Sequence, residues 1–323
     1  MYRLFGGVLA LLAMCVPACA GGTIERDWLS SAALGRPFLY SVYLPDGYRM
    51  SGLKYPVLYL LHGAGGDEST WIKSGRIVET ADKLIASGAM PPAVIVMPGC
   101  RACWWVDGHR DKADTAFWKE LVPEIEHKFR VMSDRRGRLV AGLSAGGYGA
   151  VRFAMEHAND IAAVAALSPA IYANEPPAIS SARLQPPFVN ANGSFDLALW
   201  RQKNYTAYFR DYLSQPNKVA FYLFSGDDDE YGIVFETVAL FKRLHEHQPD
   251  LTELRIVDGE HCGDIWTKAS AGAMRYVFRF ADKPVPAGRR NRPPDVDYVA
   301  RRADGPEPNT PAVGAAFSGV PHL

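Results

Sequence analysis

The chain has 323 residues, of which 48% are apolar and 22% are charged. This length allows one large domain or two modest ones, with enough apolar side chains for a substantial core. The 35 basic residues balance the 35 acidic ones, so the formal net charge is zero. A balanced charge does not favour nucleic acid or an anionic membrane surface as the partner.

The N-terminus has the pattern of a secretory signal peptide, which we expect to span residues 1–20. Arg3 supplies the positive charge, residues 4–16 form the apolar stretch, and Ala18 and Ala20 form the small-residue cleavage pattern. An apolar stretch this short does not span a bilayer, which needs about 20 residues. The pattern therefore predicts a secreted or periplasmic protein without a membrane span.

A second targeting signal overlaps the first. Val16 to Cys19 loosely resembles a bacterial lipobox, which would make Cys19 a lipid-anchored N-terminus. Pro17 fits that motif poorly, so we expect simple cleavage after Ala20.

Strand and helix patterns then alternate along the chain, which predicts an α/β domain over residues 21–283. Repeated alternation is typical of a doubly wound, mostly parallel sheet with helices on both faces. Such sheets bind ligands at the carboxyl ends of their strands. Pro123 is expected to bend the second helix. The apolar patterns predict strands at 38–44, 56–61, 93–97, 138–143, 161–167, 219–224 and 254–257, and helices at 80–86, 118–129, 145–155, 234–245 and 266–281.

Two segments break this alternation. Residues 171–205 contain two Pro-Pro pairs and little periodicity, and we expect an insertion that partly covers the site as a small loop cap. The alternative is a plain surface loop. Residues 284–323 are rich in Pro, Arg, Asp and Gly without apolar periodicity, which predicts a flexible tail.

The segment from Gly142 to Gly146 has the form G-x-S-x-G and lies between a buried strand and a helix. A serine on such a sharp turn is held in strained backbone with its hydroxyl exposed above the sheet. Small neighbours are needed for the turn, which explains the glycines. The motif predicts that Ser144 is a nucleophile that forms acyl-enzymes.

A serine hydroxyl needs a base, and the base is usually a histidine oriented by a carboxylate. In hydrolases of this type the chain order is serine, then acid, then histidine. His261 follows the last predicted strand and is the expected base. The acidic turn after the strand at 219–224 offers Asp227, Asp228 and Asp229, and the order alone leaves these three open.

Two backbone amides are expected to bind the developing oxyanion. The N–H of Ala145, directly after the serine, is the first. The run His62-Gly63-Ala64-Gly65-Gly66 follows a buried strand, and its glycines permit close approach to a substrate. Ala64 is the expected second donor, and His62 is expected to shape the loop because it precedes the serine in the chain.

Together these motifs make the chain similar to the esterase D family of α/β-hydrolases over about residues 35–282. That family includes feruloyl and acetylxylan esterases, S-formylglutathione hydrolases and mycolyltransferases. Its G-x-x-D pattern, matched by Gly226 to Asp229, implies that Asp229 is the acid. Glu260 and Cys262 stand where feruloyl esterases often have glycine and aspartate.

The resemblance implies a serine carboxylic-ester hydrolase with the triad Ser144, Asp229 and His261. The alternative is an acyltransferase that uses the same triad to acylate a carbohydrate hydroxyl. The substrate would be a small-molecule or carbohydrate-linked ester, and no cofactor or metal is expected. Five aromatic side chains are expected to line an acyl or aryl pocket, with core packing as the alternative for each: Trp71, Trp104, Trp105, Tyr148 and Trp266.

Three cysteines remain after the expected cleavage: Cys100, Cys103 and Cys262. In an oxidising compartment an odd number allows at most one internal bridge. Cys100 and Cys103 have C-x-x-C spacing but lack a thioredoxin pattern around them. We hypothesise a bridge from one of them to Cys262, which would join two loops of the site, although the pairing stays open.

Overall fold

The computed structural model describes residues 21–288. The expected signal peptide and residues 289–323 of the expected tail lie outside them. Across residues 21–288, no helix is long and apolar enough to cross a membrane.

An eight-stranded sheet in the order β1-β2-β5-β4-β6-β7-β8-β9 forms the centre of the fold. The pairs β1–β2 and β2–β5 are antiparallel, and the remaining neighbours are parallel. A separate two-stranded ladder joins β3 to β10. The strands are β1 Thr23–Ser31, β2 Arg36–Leu44, β3 Leu53–Lys54, β4 Val57–Leu61, β5 Val94–Gly99, β6 Arg138–Leu143, β7 Ala163–Leu167, β8 Ala220–Gly226, β9 Thr252–Val257 and β10 Val285–Pro286.

Helices cover both faces of this sheet, and the sheet separates two apolar clusters. The mostly parallel sheet confirms the predicted fold class. The helices are α1 Thr70–Lys73, α2 Ile77–Ala86, α3 Ala113–Thr115, α4 Val122–Lys128, α5 Ala145–Glu156, α6 Leu197–Lys203, α7 Tyr205–Ser214, α8 Ile233–His247 and α9 Gly263–Phe278.

The central strands bury every side chain, as their continuous apolar runs predict. All residues of β4 and β6 are buried because helices pack on both faces of a parallel sheet.

The sequence patterns did not predict β1, whose side chains are mostly exposed or half-buried. It pairs antiparallel over nine residues with β2, which is mostly buried.

Pro123 lies within a continuous helical stretch. The stretch begins at Ala113, and its turn at Ala116–Leu121 is a wider π turn that ends just before the proline. The N–H of Val122 bonds to the carbonyl of Phe117, five residues back. A proline has no N–H for the normal ladder, and the wider turn accommodates that loss.

The predicted insertion and tail contain more regular structure than the sequence indicated. Residues 171–205 include short 3-10 turns at Ser181–Leu184 and Pro186–Phe188 as well as helix α6. Val285 and Pro286, inside the predicted tail, pair with Leu53 and Lys54. Regular structure therefore extends to Pro286, beyond the predicted start of the tail at residue 284.

The hypothesis of a bridge to Cys262 is wrong in this structure. Cys100 bonds to Cys103, with 5.6 Å between their Cα atoms, and Cys262 is free. Cys100 and Cys103 are buried in the apolar cluster on one face of the sheet, whereas Cys262 packs against the other cluster. The sheet separates the thiol from the bridge.

We therefore expect one alkylatable thiol among these three cysteines. A non-reduced tryptic digest should contain peptides joined across the cleaved Arg101 by the Cys100–Cys103 bond, and Cys262 should carry the alkyl label. A peptide that joins Cys262 to either partner would contradict this pairing.

Candidate active site

Ser144 stands between β6 and α5 in a backbone conformation that non-glycine residues rarely adopt, with φ 54° and ψ −116°. Such strain persists only where the surroundings enforce it. The Ser144 N–H donates to the Leu167 carbonyl at 2.8 Å, and its own carbonyl accepts from Ala170 at 3.1 Å. A Cβ on Gly146 would lie 2.2 Å from the Leu61 carbonyl oxygen. Only glycine fits at that position.

Three side chains from three strand ends form one hydrogen-bonded chain. His261 Nε2 lies 2.9 Å from Ser144 Oγ, and His261 Nδ1 lies 2.7 Å from Asp229 Oδ2. An ionised carboxylate only accepts hydrogen bonds, so Nδ1 carries the proton and Nε2 is free to accept from the serine hydroxyl. The Asp229 side chain is fully buried, and its Oδ1 accepts from the Tyr231 N–H at 3.0 Å.

The other two aspartates of the acidic turn lie at the surface. Asp227 accepts from the Gly259 N–H at 3.1 Å, and Asp228 is exposed. Together with Asp258 they form a group of exposed carboxylates within 4.8 Å of one another. The sequence spacing did not indicate this grouping, because Asp258 comes from the neighbouring strand end.

Two aromatic side chains pack against the His261 imidazole. Tyr231 and Trp266 both make edge contacts with it, each with 4.9 Å between ring centroids. The Trp266 indole N–H donates to Ser168 Oγ at 3.1 Å, which fixes the orientation of that ring. Sequence reasoning missed Ser168, whose surroundings carry no motif.

His62, the first residue of the glycine-rich loop, is buried and forms hydrogen bonds through both ring nitrogens. Its Nε2 accepts from the backbone amides of Cys100 and Arg101 at 3.1 and 3.2 Å, and its Nδ1 lies 2.7 Å from the Gly63 carbonyl. Burial lowers the pKa of His62 to about 4. The ring is therefore neutral and carries its proton on Nδ1, which makes it a loop-shaping residue, as expected from the sequence.

This contact also sets the direction of the Ala64 amide. The Gly63 carbonyl accepts from His62 Nδ1 and from the Gly66 N–H at 3.1 Å. The C=O and N–H of one trans peptide point in opposite directions, so the Ala64 N–H points away from the His62 ring. Ala145 is the first residue of α5, and its N–H has no acceptor within the helix.

A cavity of about 370 Å³ opens beside Ser144 and His261. Ala64 lines it from the glycine-rich loop, and Tyr172 and Ser181 line it from the 171–205 segment. Ile233 closes another side. The cavity is therefore bounded by both loops and the first turn of α8.

Two of the five predicted pocket aromatics, Trp104 and Trp266, line this cavity. Trp71, Trp105 and Tyr148 do not line it and are buried in the core. The Trp105 indole donates to the His62 carbonyl at 3.1 Å, and the Tyr148 hydroxyl donates to the Lys203 carbonyl at 2.7 Å.

Comparisons with known sequences point to one family. Residues 31–248 match the family model described as "Putative esterase". An esterase of Mycobacterium tuberculosis (strain CDC 1551 / Oshkosh) is 39% identical over 125 residues, 36% of this chain and 26% of that protein. An endo-1,4-beta-xylanase/feruloyl esterase of Xylanibacter ruminicola is 33% identical over 135 residues, 39% of this chain and 19% of that protein. The chain thus matches about a quarter or less of the length of these curated relatives.

A solved structure extends the likeness over most of the chain. A ferulic acid esterase superimposes with a TM-score of 0.70 at 27% identity, and the match covers 82% of this chain and 100% of that one.

The lowered pKa of His62 predicts a specific loss of stability in acid. Between pH 6.5 and about 4 the unfolded chain protonates this histidine and the folded chain does not. The free energy of unfolding therefore falls through this window by up to about 3 kcal/mol on account of His62, and this loss ends below about pH 4. Denaturant titrations across the window measure it.

His62→Gln is the matched variant, because its amide oxygen can still accept from the Cys100 and Arg101 amides but does not titrate. We expect the variant to lose less stability than the wild type between neutral pH and pH 4. Equal losses in both proteins would contradict a neutral, buried His62.

Proposed function

The chain belongs to the esterase family whose model matches residues 31–248. We propose that it is a carboxylic ester hydrolase that works through an acyl-enzyme on Ser144. The observation that carries the proposal is the hydrogen-bonded chain from Ser144 through His261 to Asp229 at the edge of a cavity. A serine, a base and an orienting carboxylate in this geometry are what acyl transfer needs.

The first half of the reaction acylates the serine. Ser144 Oγ attacks the ester carbonyl carbon while its proton moves to His261 Nε2. Asp229 stabilises the imidazolium that results and keeps the ring in the productive orientation. The tetrahedral intermediate then collapses, and the leaving alcohol takes the proton from His261. The acyl group stays on the serine oxygen.

The second half removes the acyl group by the same steps with water as the nucleophile. His261 accepts a proton from water as the oxygen attacks the acyl carbon, and then returns it to Ser144. In both halves the carbonyl oxygen becomes an oxyanion. The amides of Ala64 and Ala145 are the proposed donors, since amides fixed in advance stabilise that charge without reorganisation.

The acyl group is proposed to be compact, and an aryl acid is favoured. The cavity of about 370 Å³ is bounded by the aromatic side chains of Trp104, Tyr172 and Tyr231. Feruloyl esterases are among the similar proteins, in sequence and in structure. A small-molecule or carbohydrate-linked ester of such an acid is therefore the proposed substrate. Export from the cytoplasm, as the N-terminal pattern predicts, would bring the enzyme to it.

Triad variants test the mechanism. We expect Ser144→Ala and His261→Ala each to lower kcat by on the order of 10⁶, and Asp229→Asn by roughly 10⁴, because the three residues act as a unit. Steady-state hydrolysis of an activated aryl ester measures these losses.

Asp228→Asn is the matched control, since it removes one carboxylate from the same turn. Near-wild-type activity is expected for it. Loss of activity in Asp228→Asn together with full activity in Asp229→Asn would overturn the assignment of the acid.

The acyl preference can be tested at Ser181, an exposed cavity residue in the 171–205 segment. Ser181→Trp should narrow the cavity and lower the ratio of kcat/KM for feruloyl over acetyl esters by about tenfold. Ser181→Ala should leave that ratio unchanged. An unchanged ratio in Ser181→Trp would mean that the acyl group binds elsewhere.

The fate of the acyl group separates hydrolysis from transfer. In assays with a carbohydrate acceptor we expect the free acid as the main product, because the site is open to water. Acylated carbohydrate as the main product would instead identify an acyltransferase with the same triad.

A further inference from the structure

The last strand of the sheet, β9 at Thr252–Val257, has an outer edge with no strand beside it among residues 21–288. Its pairing with β8 runs unbroken from Thr252 to Val257, so the strand contains no bulge. It contains no proline either. Edge strands usually carry such features because their free N–H and C=O groups pair readily with another chain. The outer edge of β9 is therefore competent for pairing.

Apolar side chains are concentrated around this edge. Nine large apolar side chains are exposed among the described residues, and four of them lie on β9 or on the adjacent helix α8. They are Phe235 and Val238, with 76% and 42% exposure, and Ile256 and Val257, with 38% each. A patch of this kind marks an interaction surface more often than scattered apolar residues do.

The orientation of α8 places Val238 on the side of the helix that is nearer to the outer edge of β9. The Arg243 guanidinium lies 3.9 Å from the ring centroid of Phe209 in α7, so this flank of α8 faces α7. Val238 is five residues earlier, which places it about 140° around the helix, on the flank away from α7. Helix α7 packs against α5, over the centre of the sheet, whereas α8 packs against β8 and the outermost strand β9. The flank of α8 away from α7 therefore lies on the edge side of the sheet.

Alternating charges on β9 indicate what pairs with it. Glu253 and Arg255 lie on the same face of the strand, where Arg255 Nη2 lies 3.0 Å from Glu253 Oε1, and they line an open groove of about 510 Å³ between β9 and α9. If two copies of β9 pair antiparallel about a two-fold axis at Leu254, Glu253 faces Arg255 of the partner subunit, and the reverse contact forms as well. Opposite charges directly across such a ladder are stabilising. An axis at residue 253 or 255 would instead put like charges opposite each other.

We propose that a second copy of this chain pairs with β9 about a two-fold axis at Leu254, which continues the sheet across two subunits. A two-fold interface must be self-complementary, and the alternation of Glu253 and Arg255 has that property. The exposed Val238 and Ile256 lie on the same side and become covered by their counterparts.

Charge variants test this pairing. In Arg255→Glu, both cross-strand pairs become Glu–Glu contacts, and we expect the dimer dissociation constant to rise at least tenfold. The double variant Glu253→Arg with Arg255→Glu exchanges the two charges and should restore the dimer. Lys83→Glu makes the same charge change on exposed α2 and should leave the dimer intact. Sedimentation velocity over a concentration series measures all four proteins.

Thermal unfolding of each variant confirms that it is folded before its association is compared. A wild-type protein that remains monomeric at tens of micromolar would overturn the proposal. A dimer that persists unchanged in Arg255→Glu would place the interface elsewhere. A folded double variant that stays monomeric would overturn the register at Leu254.

Discussion

The strained turn at Ser144 is the constraint on which the rest of the site depends. A left-handed serine is unfavourable on its own, and two backbone hydrogen bonds, to Leu167 and from Ala170, hold it there. The helix that follows passes so close to β4 that Gly146 has no room for a side chain. The packing of α5 against the sheet thus stabilises the strained conformation of Ser144. As a result, the serine hydroxyl points at His261.

The glycine-rich loop that contains Ala64 is held by a neutral, buried polar network. His62 ties the glycine-rich loop to the loop that begins at Cys100, and the disulfide to Cys103 closes that second loop. The Trp105 indole N–H donates a hydrogen bond to the His62 carbonyl, so both loops are fixed relative to each other. Because His62 stays uncharged, burial costs it little at neutral pH, and the Ala64 amide keeps its direction. Polar networks of this kind hold one geometry when every member is paired.

Much of the fold and the site could be predicted from the sequence, because continuous apolar runs identify buried parallel strands and motifs follow their ends. The limits are physical. Hairpin strand β1 is polar and half-exposed, so no apolar run identifies it. Spacing could not place Cys262 on the other side of the sheet from Cys100. Aromatic composition could not separate Trp104, which lines the cavity, from Trp105, which packs in the core.

The central claim is that Ser144 carries the acyl group during turnover. Its most direct test is acid quenching during hydrolysis of a slowly deacylated aryl ester, followed by intact-mass and peptide analysis. We expect a mass increase of one acyl group on the peptide that contains Ser144, and no increase in Ser144→Ala. Rapid turnover without any adduct under conditions that make deacylation rate-limiting, or an adduct on another residue, would contradict it.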